Sequence, residues 1–188
     1  MQLEKWFATP VWYDYTVFNF SSVAEKCKEI AKTHTHRSLS NVGGWQSTDF
    51  NIDDYYELRP VKQIIDQKIQ ELQSFIGPNS RLAHDNFWLN INYKGHYNEK
   101  HFHPLSVFSG VIYISVNENS GNIIFHTDSP SLHYQNVFNN ESDLFYKEAR
   151  YAPKNGMILL FPAWIAHSVT ANMSDEPRIS IAFNVKQV

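Results

Sequence analysis

Apolar residues recur at helical spacing in two segments of the first half of the chain. The first covers residues 22–34, where Ser22 and Glu25 have the spacing of a capping box. The second starts at Pro60, a residue favoured in the first turn of a helix, and stops before Gly77. These patterns predict helices over residues 22–34 and 60–76, each with one apolar face to bury against a neighbouring layer.

From about residue 82 the apolar period shortens to two, which is typical of β-strands. Asn90 and Asn92 share one face of residues 87–93, and apolar side chains alternate with them on the other face. The last predicted strand, 178–184, alternates in the same way and has Arg178 and Ser180 on its polar side. Polar residues on one face of two strands indicate either a solvated face or a common polar cavity.

Turn signals separate the predicted strands. Residues 117–121 predict a hairpin turn, and the polar stretch 127–143 is long enough to be a functional loop or lid. Two helices followed by roughly eight short strands predict a mainly β fold, an antiparallel jelly roll with both helices packed outside one sheet. We expect one domain over 1–188, with a helical part (1–80) packed on a jelly-roll core (81–188).

Composition narrows the class of protein. The chain has 188 residues and a net charge of −3, so it lacks the basic surface that nucleic-acid binding requires. Its single cysteine, Cys27, excludes an internal disulfide. We find no signal peptide and no apolar run long enough to span a bilayer. We therefore expect a cytoplasmic protein without nucleic-acid or membrane partners; the sequence leaves the oligomeric state open, with a homodimer as one option.

Three histidines have the spacing of a metal centre. His101 and His103 would share one side of a strand, with Cα atoms roughly 6.6 Å apart. His167 follows an apolar strand far downstream and would supply a third ligand. Imidazoles suit iron, zinc, copper or nickel, so the ligands alone do not choose the metal. Asp128 is the alternative ligand if one histidine of the three does not bind.

A positively charged residue follows the three histidines in the sequence. Arg178 lies eleven residues after His167, at the start of a strand whose polar face also carries Ser180. A guanidinium can bind a carboxylate through two parallel hydrogen bonds, and a serine hydroxyl adds a further donor. If Asn90 and Asn92 line the same cavity, the pattern indicates a metal centre with an anion anchor.

Several runs of the chain resemble the Fe(II)/2-oxoglutarate-dependent oxygenases. They are residues 93–103, which end in His-Phe-His before Pro104, and residues 109–114, 121–125, 156–169 and 178–184. The resemblance is closest to a branch with His-x-His-Pro followed by Ser-Gly-Val-x-Tyr. It implies the double-stranded β-helix fold, Fe(II) as cofactor, 2-oxoglutarate and molecular oxygen as cosubstrates, and oxidation of a second, unidentified substrate with release of succinate.

The same resemblance implies roles for individual residues. Fe(II) would be bound by His101, His103 and His167. The far carboxylate of 2-oxoglutarate would be anchored by Arg178 and Ser180. The pocket of 2-oxoglutarate would be lined by Asn90, Asn92 and Tyr93. No catalytic residue beyond the metal site is implied. Alternation places Asn92 and Tyr93 on opposite faces, so Tyr93 rests on the resemblance alone.

One position departs from the common family pattern. Most of the superfamily has Asp or Glu where this chain has His103, so the three ligands carry no negative charge. Two other classes of function therefore remain open. One is a cupin-type three-histidine metalloenzyme that does not use 2-oxoglutarate, and the other is a non-catalytic jelly-roll binding protein.

Overall fold

The computed structural model describes residues 2, 8–77, 79–127 and 148–188. Two helices lie in the first half of the chain, α1 (Ser21–Thr33) and α2 (Arg59–Ile76). The strands are β1 (Trp12–Tyr15), β2 (Asn41–Val42), β3 (Trp45–Gln46), β4 (Leu82–Asn92), β5 (Tyr97–His101), β6 (Phe108–Ser115), β7 (Ile123–His126), β8 (Glu148–Tyr151), β9 (Met157–Pro162), β10 (His167–Val169) and β11 (Arg178–Gln187).

The strands form two antiparallel sheets. One has six strands in the order β1-β9-β6-β11-β4-β3, and the other has five in the order β2-β5-β10-β7-β8. The order brings strands that are distant in the chain next to each other, for example β11 between β6 and β4. The predicted mainly β, antiparallel jelly roll is confirmed, and a cavity lies between the inner faces of the two sheets.

The outer face of the six-stranded sheet packs against both helices. Leu89 and Ile91 of β4 and Ile181 of β11 are almost completely buried there. Apolar residues of the helices join them in one continuous core, among them Val23, Cys27 and Ile30 of α1 and Val61, Ile65, Ile69 and Leu72 of α2. Because successive residues of a strand point to opposite faces, the same strands present polar residues to the cavity.

The helix boundaries agree with the predicted ranges to within one residue, but the predicted capping box is wrong. The side chain of Asn19 accepts a hydrogen bond from the N–H of Ser21 at 3.0 Å. Helix α1 thus starts one residue before the expected cap, and Glu25 instead accepts a hydrogen bond from Lys28. Helix α2 ends at Gly77, whose φ of +130° favours glycine.

Two further expectations need correction. Residues 117–121 are not a hairpin turn, because β6 and β7 belong to different sheets and the chain crosses between them there. The part before residue 81 is not only helical, since β1, β2 and β3 join the two sheets. The predicted loop at 127–143 lies, from residue 128 onward, outside the described residues. Within the described residues, neither helix is long and apolar enough to cross a membrane.

Candidate metal centre and cosubstrate cavity

Neighbouring strands bring the three predicted histidines together. His167 of β10 pairs directly with His101 of β5, and its ring lies 4.3 Å from that of His101 between centroids. Strand β5 ends at His101, so the expected strand through residue 103 is too long. The N–H of His103 instead donates to the carbonyl of Ala163 at 2.9 Å. This bond holds the His103 ring 5.2 Å from His101 and 5.1 Å from His167.

The three rings bring their nitrogens close together. One nitrogen from each of the three lies within 4.8 Å of the others, and the Nε2 atoms of His103 and His167 are 3.3 Å apart. Two nitrogens that each lie ~2.1 Å from one ion are roughly 3.0–3.4 Å apart at ordinary ligand angles. The geometry of this trio therefore suits a shared metal ion.

Backbone carbonyls fix which nitrogen two of the histidines offer. The Nδ1–H of His101 donates to the carbonyl of Glu99 at 2.7 Å, and that of His167 donates to Ile165 at 3.1 Å. A carbonyl can only accept, so each bonded Nδ1 must carry the proton and Nε2 keeps its lone pair. Such bonds orient metal-binding histidines in general.

Burial keeps the three imidazoles neutral. Burial and, to a lesser extent, the nearby His101 together lower the pKa of His167 to about 3. Burial, again together with His101, lowers the pKa of His103 to about 4. The pKa of His101 is also lowered by burial, against the opposing effect of its bond to Glu99. Neutral imidazole is the form that binds metals, so the rings are ready for a cation at neutral pH.

Arg178 lies in the wall of the same cavity, which has a volume of about 480 Å³. The side chain is only 2% exposed. Its Nη1 donates to the carbonyls of Ser120 and, at 3.1 Å, Thr170, whereas its Nη2 is buried without a partner. No carboxylate of the described residues pairs with it. A buried, partly unsatisfied cation is costly, which indicates that an anion completes this end of the cavity.

Gly121 leaves room for the guanidinium of Arg178. Its φ is +87°, and a Cβ on it would lie 2.7 Å from Nη1 of Arg178. A side chain at this position would therefore displace the arginine as well as strain the backbone. The crossing between β6 and β7, which the sequence analysis interpreted as a hairpin turn, in fact shapes the anion end of the cavity.

The predicted asparagines and serine lie beside Arg178. Asn92 pairs with Arg178 in the β4–β11 register, and Asn90 pairs with Ser180. All four line the cavity. Gln46 of β3 donates to Asn90 Oδ1 at 3.1 Å, while Gln46 Oε1 and Asn92 Nδ2 are buried without partners. These free polar atoms give the anion end further hydrogen-bonding capacity.

Tyr93 is not part of this cavity, contrary to the expectation from the resemblance. Strand β4 ends at Asn92, and Tyr93 follows it with 52% of its surface exposed and its ring near His96. The alternation of the strand therefore decides against Tyr93. Asp128, the alternative ligand, lies outside the described residues.

Other lining residues carry little sequence signal. Tyr113 faces Ser180 across the β6–β11 pair and is buried, and burial raises the pKa of its phenol to about 12. Trp88 packs 5.5 Å from His103 between ring centroids. Trp88 lies two residues before Asn90 on the same face of the strand, so the alternation could have predicted that it lines the cavity. Tyr113 could not, because both faces of β6 are apolar and buried.

Several solved structures share the fold, among them two prolyl hydroxylases and a protein solved with 2-oxoglutarate bound. A prolyl-4-hydroxylase from Pseudomonas putida superposes with a TM-score of 0.67 at 10% identity, covering 96% of this chain and 94% of that one. HygX from Streptomyces hygroscopicus, solved with nickel and 2-oxoglutarate bound, gives 0.63 at 11% identity, with 95% and 83% covered. A prolyl hydroxylase from Trichoplax adhaerens gives 0.64 at 13%, with 94% and 83% covered.

At these identities the likeness establishes the fold alone, and the sequence itself gives the family. No curated protein is significantly similar in sequence. A family described as "Putative 2OG-Fe(II) oxygenase" matches residues 86–184, more than half of the 188 in the chain. That segment contains the three histidines, both asparagines, Arg178 and Ser180. The chain belongs to this family of oxygenases that depend on Fe(II) and 2-oxoglutarate.

Proposed function

We propose that His101, His103 and His167 hold the Fe(II) and that Arg178 anchors the far carboxylate of 2-oxoglutarate. The reaction is the oxidation of a substrate whose identity is open, coupled to decarboxylation of 2-oxoglutarate to succinate. When bound, the iron supplies oxygen activation and chelates the keto-acid end of the cosubstrate. The other roles below belong to side chains of this chain.

One observation carries this proposal, namely the unpartnered Nη2 of the buried Arg178 in a cavity shared with three neutral imidazoles. The cavity wall then has a fixed cation at one end and a site for a second cation at the other. A five-carbon dianion between them compensates both charges at once. A monocarboxylate or water would leave one cation without a counter-charge, which is unfavourable in a buried site.

The departure at His103 strengthens this argument. A histidine in place of the usual carboxylate leaves the charge of the divalent ion entirely to the cosubstrate. Within the described residues, the one acidic side chain in the cavity lining is Glu99, which is exposed. The dianion is therefore the main source of negative charge for both cations.

Neighbouring side chains orient the far carboxylate. Ser180 and Asn92 lie next to Arg178 and provide donors, with the Nδ2 of Asn92 lacking any other partner. Tyr113 keeps its proton, because its pKa is raised to about 12, and its hydroxyl can donate as well. Apolar walls at Phe161 and Val111 exclude water from this part of the cavity.

The test is succinate formation from 2-oxoglutarate with Fe(II) and oxygen, without added primary substrate. We expect slow but metal-dependent turnover by the wild-type protein. It should fall at least tenfold in His103→Ala and in Arg178→Ala, because each substitution removes a binding group. His36→Ala and Arg81→Ala, matched changes at exposed positions, serve as controls. Wild-type turnover no higher than that of the metal-free protein would contradict the proposal.

A further inference from the structure

A row of polar residues lies beyond the histidines, at the end of the cavity opposite Arg178. Along β4 the cavity-facing residues run from Asn92 through Trp88 to Asn86, and Trp88 packs against His103. Along β11 they run in the opposite direction, from Arg178 to Asn184. Asn86 and Asn184 are therefore the last cavity-lining residues of the two strands, on the side away from Arg178.

Asp49 fixes the orientation of the first asparagine. Its carboxylate accepts hydrogen bonds from Asn86 Nδ2 at 2.8 Å and from Arg37 Nη2 at 2.5 Å. Because a carboxylate can only accept, the amide nitrogen must face Asp49 and Oδ1 must face away from it. That Oδ1 is buried, and no described residue donates to it.

Asn184 has a free hydrogen-bond donor where Asn86 has a free acceptor. Asn184 Oδ1 accepts a hydrogen bond from the hydroxyl of Ser109 at 2.7 Å. Its Nδ2 carries two N–H donors, for which the described part of the chain offers no acceptor. The cavity wall that both residues line thus has a free acceptor on β4 and a free donor on the neighbouring strand β11.

The row carries no net charge that would select an ionic substrate. Arg37 is neutralised by its ion pair with Asp49, and its Nε is a further buried donor without a partner. A carboxylate has only acceptors and would face Asn86 Oδ1 unfavourably, while an ammonium has only donors and would face Asn184 Nδ2. A primary carboxamide presents its C=O acceptor and one N–H donor on the same side of the group and matches the pair.

We propose that Asn86 and Asn184 bind a primary carboxamide group of the primary substrate and orient it beside the histidine centre. Arg37 and Asp49 position Asn86 for this contact. The inference rests on the proposed function for the place of the reaction, but the amide site itself is a statement about binding. It assigns the substrate to the class of molecules that carry a primary carboxamide.

The experiment is saturation-transfer NMR on the full chain loaded with Zn(II), a diamagnetic stand-in for Fe(II), with and without 2-oxoglutarate. The probe is N-acetylglycinamide, and the comparison ligands are N-acetylglycine, which carries a carboxylate, and ethylene glycol, which carries hydroxyls. We expect N-acetylglycinamide, which alone of the three carries a primary carboxamide, to be the one ligand that binds, with a Kd on the order of 1–10 mM for so small a ligand. Affinity should fall roughly tenfold in Asn184→Asp, which replaces the donor, and in Asn86→Ala, which removes the acceptor.

Asn117→Asp, the same change at an exposed position outside the cavity, is the matched control and should bind the probe as the wild type does. Absence of N-acetylglycinamide binding, equal or tighter binding of either comparison ligand, or unchanged binding in both variants would overturn the inference. Binding of 2-oxoglutarate is measured in the same samples. Its absence would refute the proposed function, while the amide result still decides the amide site.

Discussion

The two faces of the β4–β11 pair are both buried, but one carries apolar side chains and the other carries polar ones. On the outer face Leu89, Ile91 and Ile181 are at most 1% exposed and pack into the core beneath the helices. On the inner face Asn92 and Arg178 are each 2% exposed and keep polar atoms without partners. Apolar burial stabilises a fold, whereas unpartnered buried polar groups destabilise it. The comparison teaches that the outer face supports the strands, while the inner face holds polar groups whose hydrogen bonds no described residue completes.

The largest effect we expect is on the outer face. Ile181→Ala removes a fully buried side chain and should lower the free energy of unfolding by about 2–5 kcal/mol, from lost transfer energy and the cavity left behind. Urea unfolding followed by circular dichroism measures it. The folded fraction should still bind Zn(II) with wild-type affinity. A loss below about 1 kcal/mol would mean that this face is not the main support of the strands.

On the facing sheet, removal of one histidine that lines the same cavity should abolish function without unfolding the chain. His167→Ala deletes a ligand and should weaken metal binding by at least ~100-fold, since ligand loss exceeds the 10–100-fold effect of losing a supporting residue. Competition with a chromogenic chelator gives the affinity, and His36→Ala is the control. If His167→Ala binds metal as tightly as the wild type, His167 is not a ligand.

In the metal-free protein, the free energy of unfolding should depend on pH through the buried His167 of the cavity. The folded pKa of His167 is lowered to about 3, below the ordinary value of 6.5, so the unfolded chain binds the proton more readily. Stability is therefore fully present above pH 6.5 and is lost as the pH falls towards 3, by up to ~1.4 kcal/mol per pH unit for this residue. His167→Gln should flatten the curve between pH 6 and 4, relative to the wild type in parallel urea melts. An unchanged slope would show that His167 does not bury a neutral ring.

The smallest effect should follow from restoring the common ligand set. His103→Asp adds one negative charge to the metal site and should tighten metal binding about tenfold in the absence of 2-oxoglutarate, by partly neutralising the ion. Succinate formation should be retained or raised. Calorimetric titration with Zn(II) gives the affinity. Complete loss of metal binding would contradict the assignment of His103 to the carboxylate position.

The sequence predicts the inner face well where a regular period exists. Alternation along β4 and β11 places Asn90, Asn92, Arg178 and Ser180 on one side, and the structure brings all four to one cavity. The resemblance alone placed Tyr93 in the cavity, and it is wrong there, since Tyr93 lies beyond the end of β4 as well as on the opposite side from Asn92 in the alternation. The roles of those residues and of the three histidines stay predictions.

Other parts of the cavity lack any periodic signal. Strand β3 has two residues, too few to show an alternation, so the sequence gives no periodic signal for Gln46. The carbonyls of Ser120 and Thr170 that hold Arg178 are backbone groups, which every residue type has. The hairpin predicted at 117–121 is a crossing between sheets, because a turn signal gives the bend but not the sheet that the next strand joins.

The most direct test of the account is 2-oxoglutarate binding to the Fe(II)-loaded protein under anaerobic conditions, followed by the visible charge-transfer band of the chelate. We predict that the wild type develops the band. Arg178→Ala should bind the cosubstrate at least ~30-fold more weakly, since a desolvated charge-assisted contact contributes ~2–5 kcal/mol. Metal affinity should not change, Arg178→Lys should be intermediate, and Arg81→Ala should match the wild type. Equal affinity in Arg178→Ala and wild type, or no band in the wild type, would contradict the account.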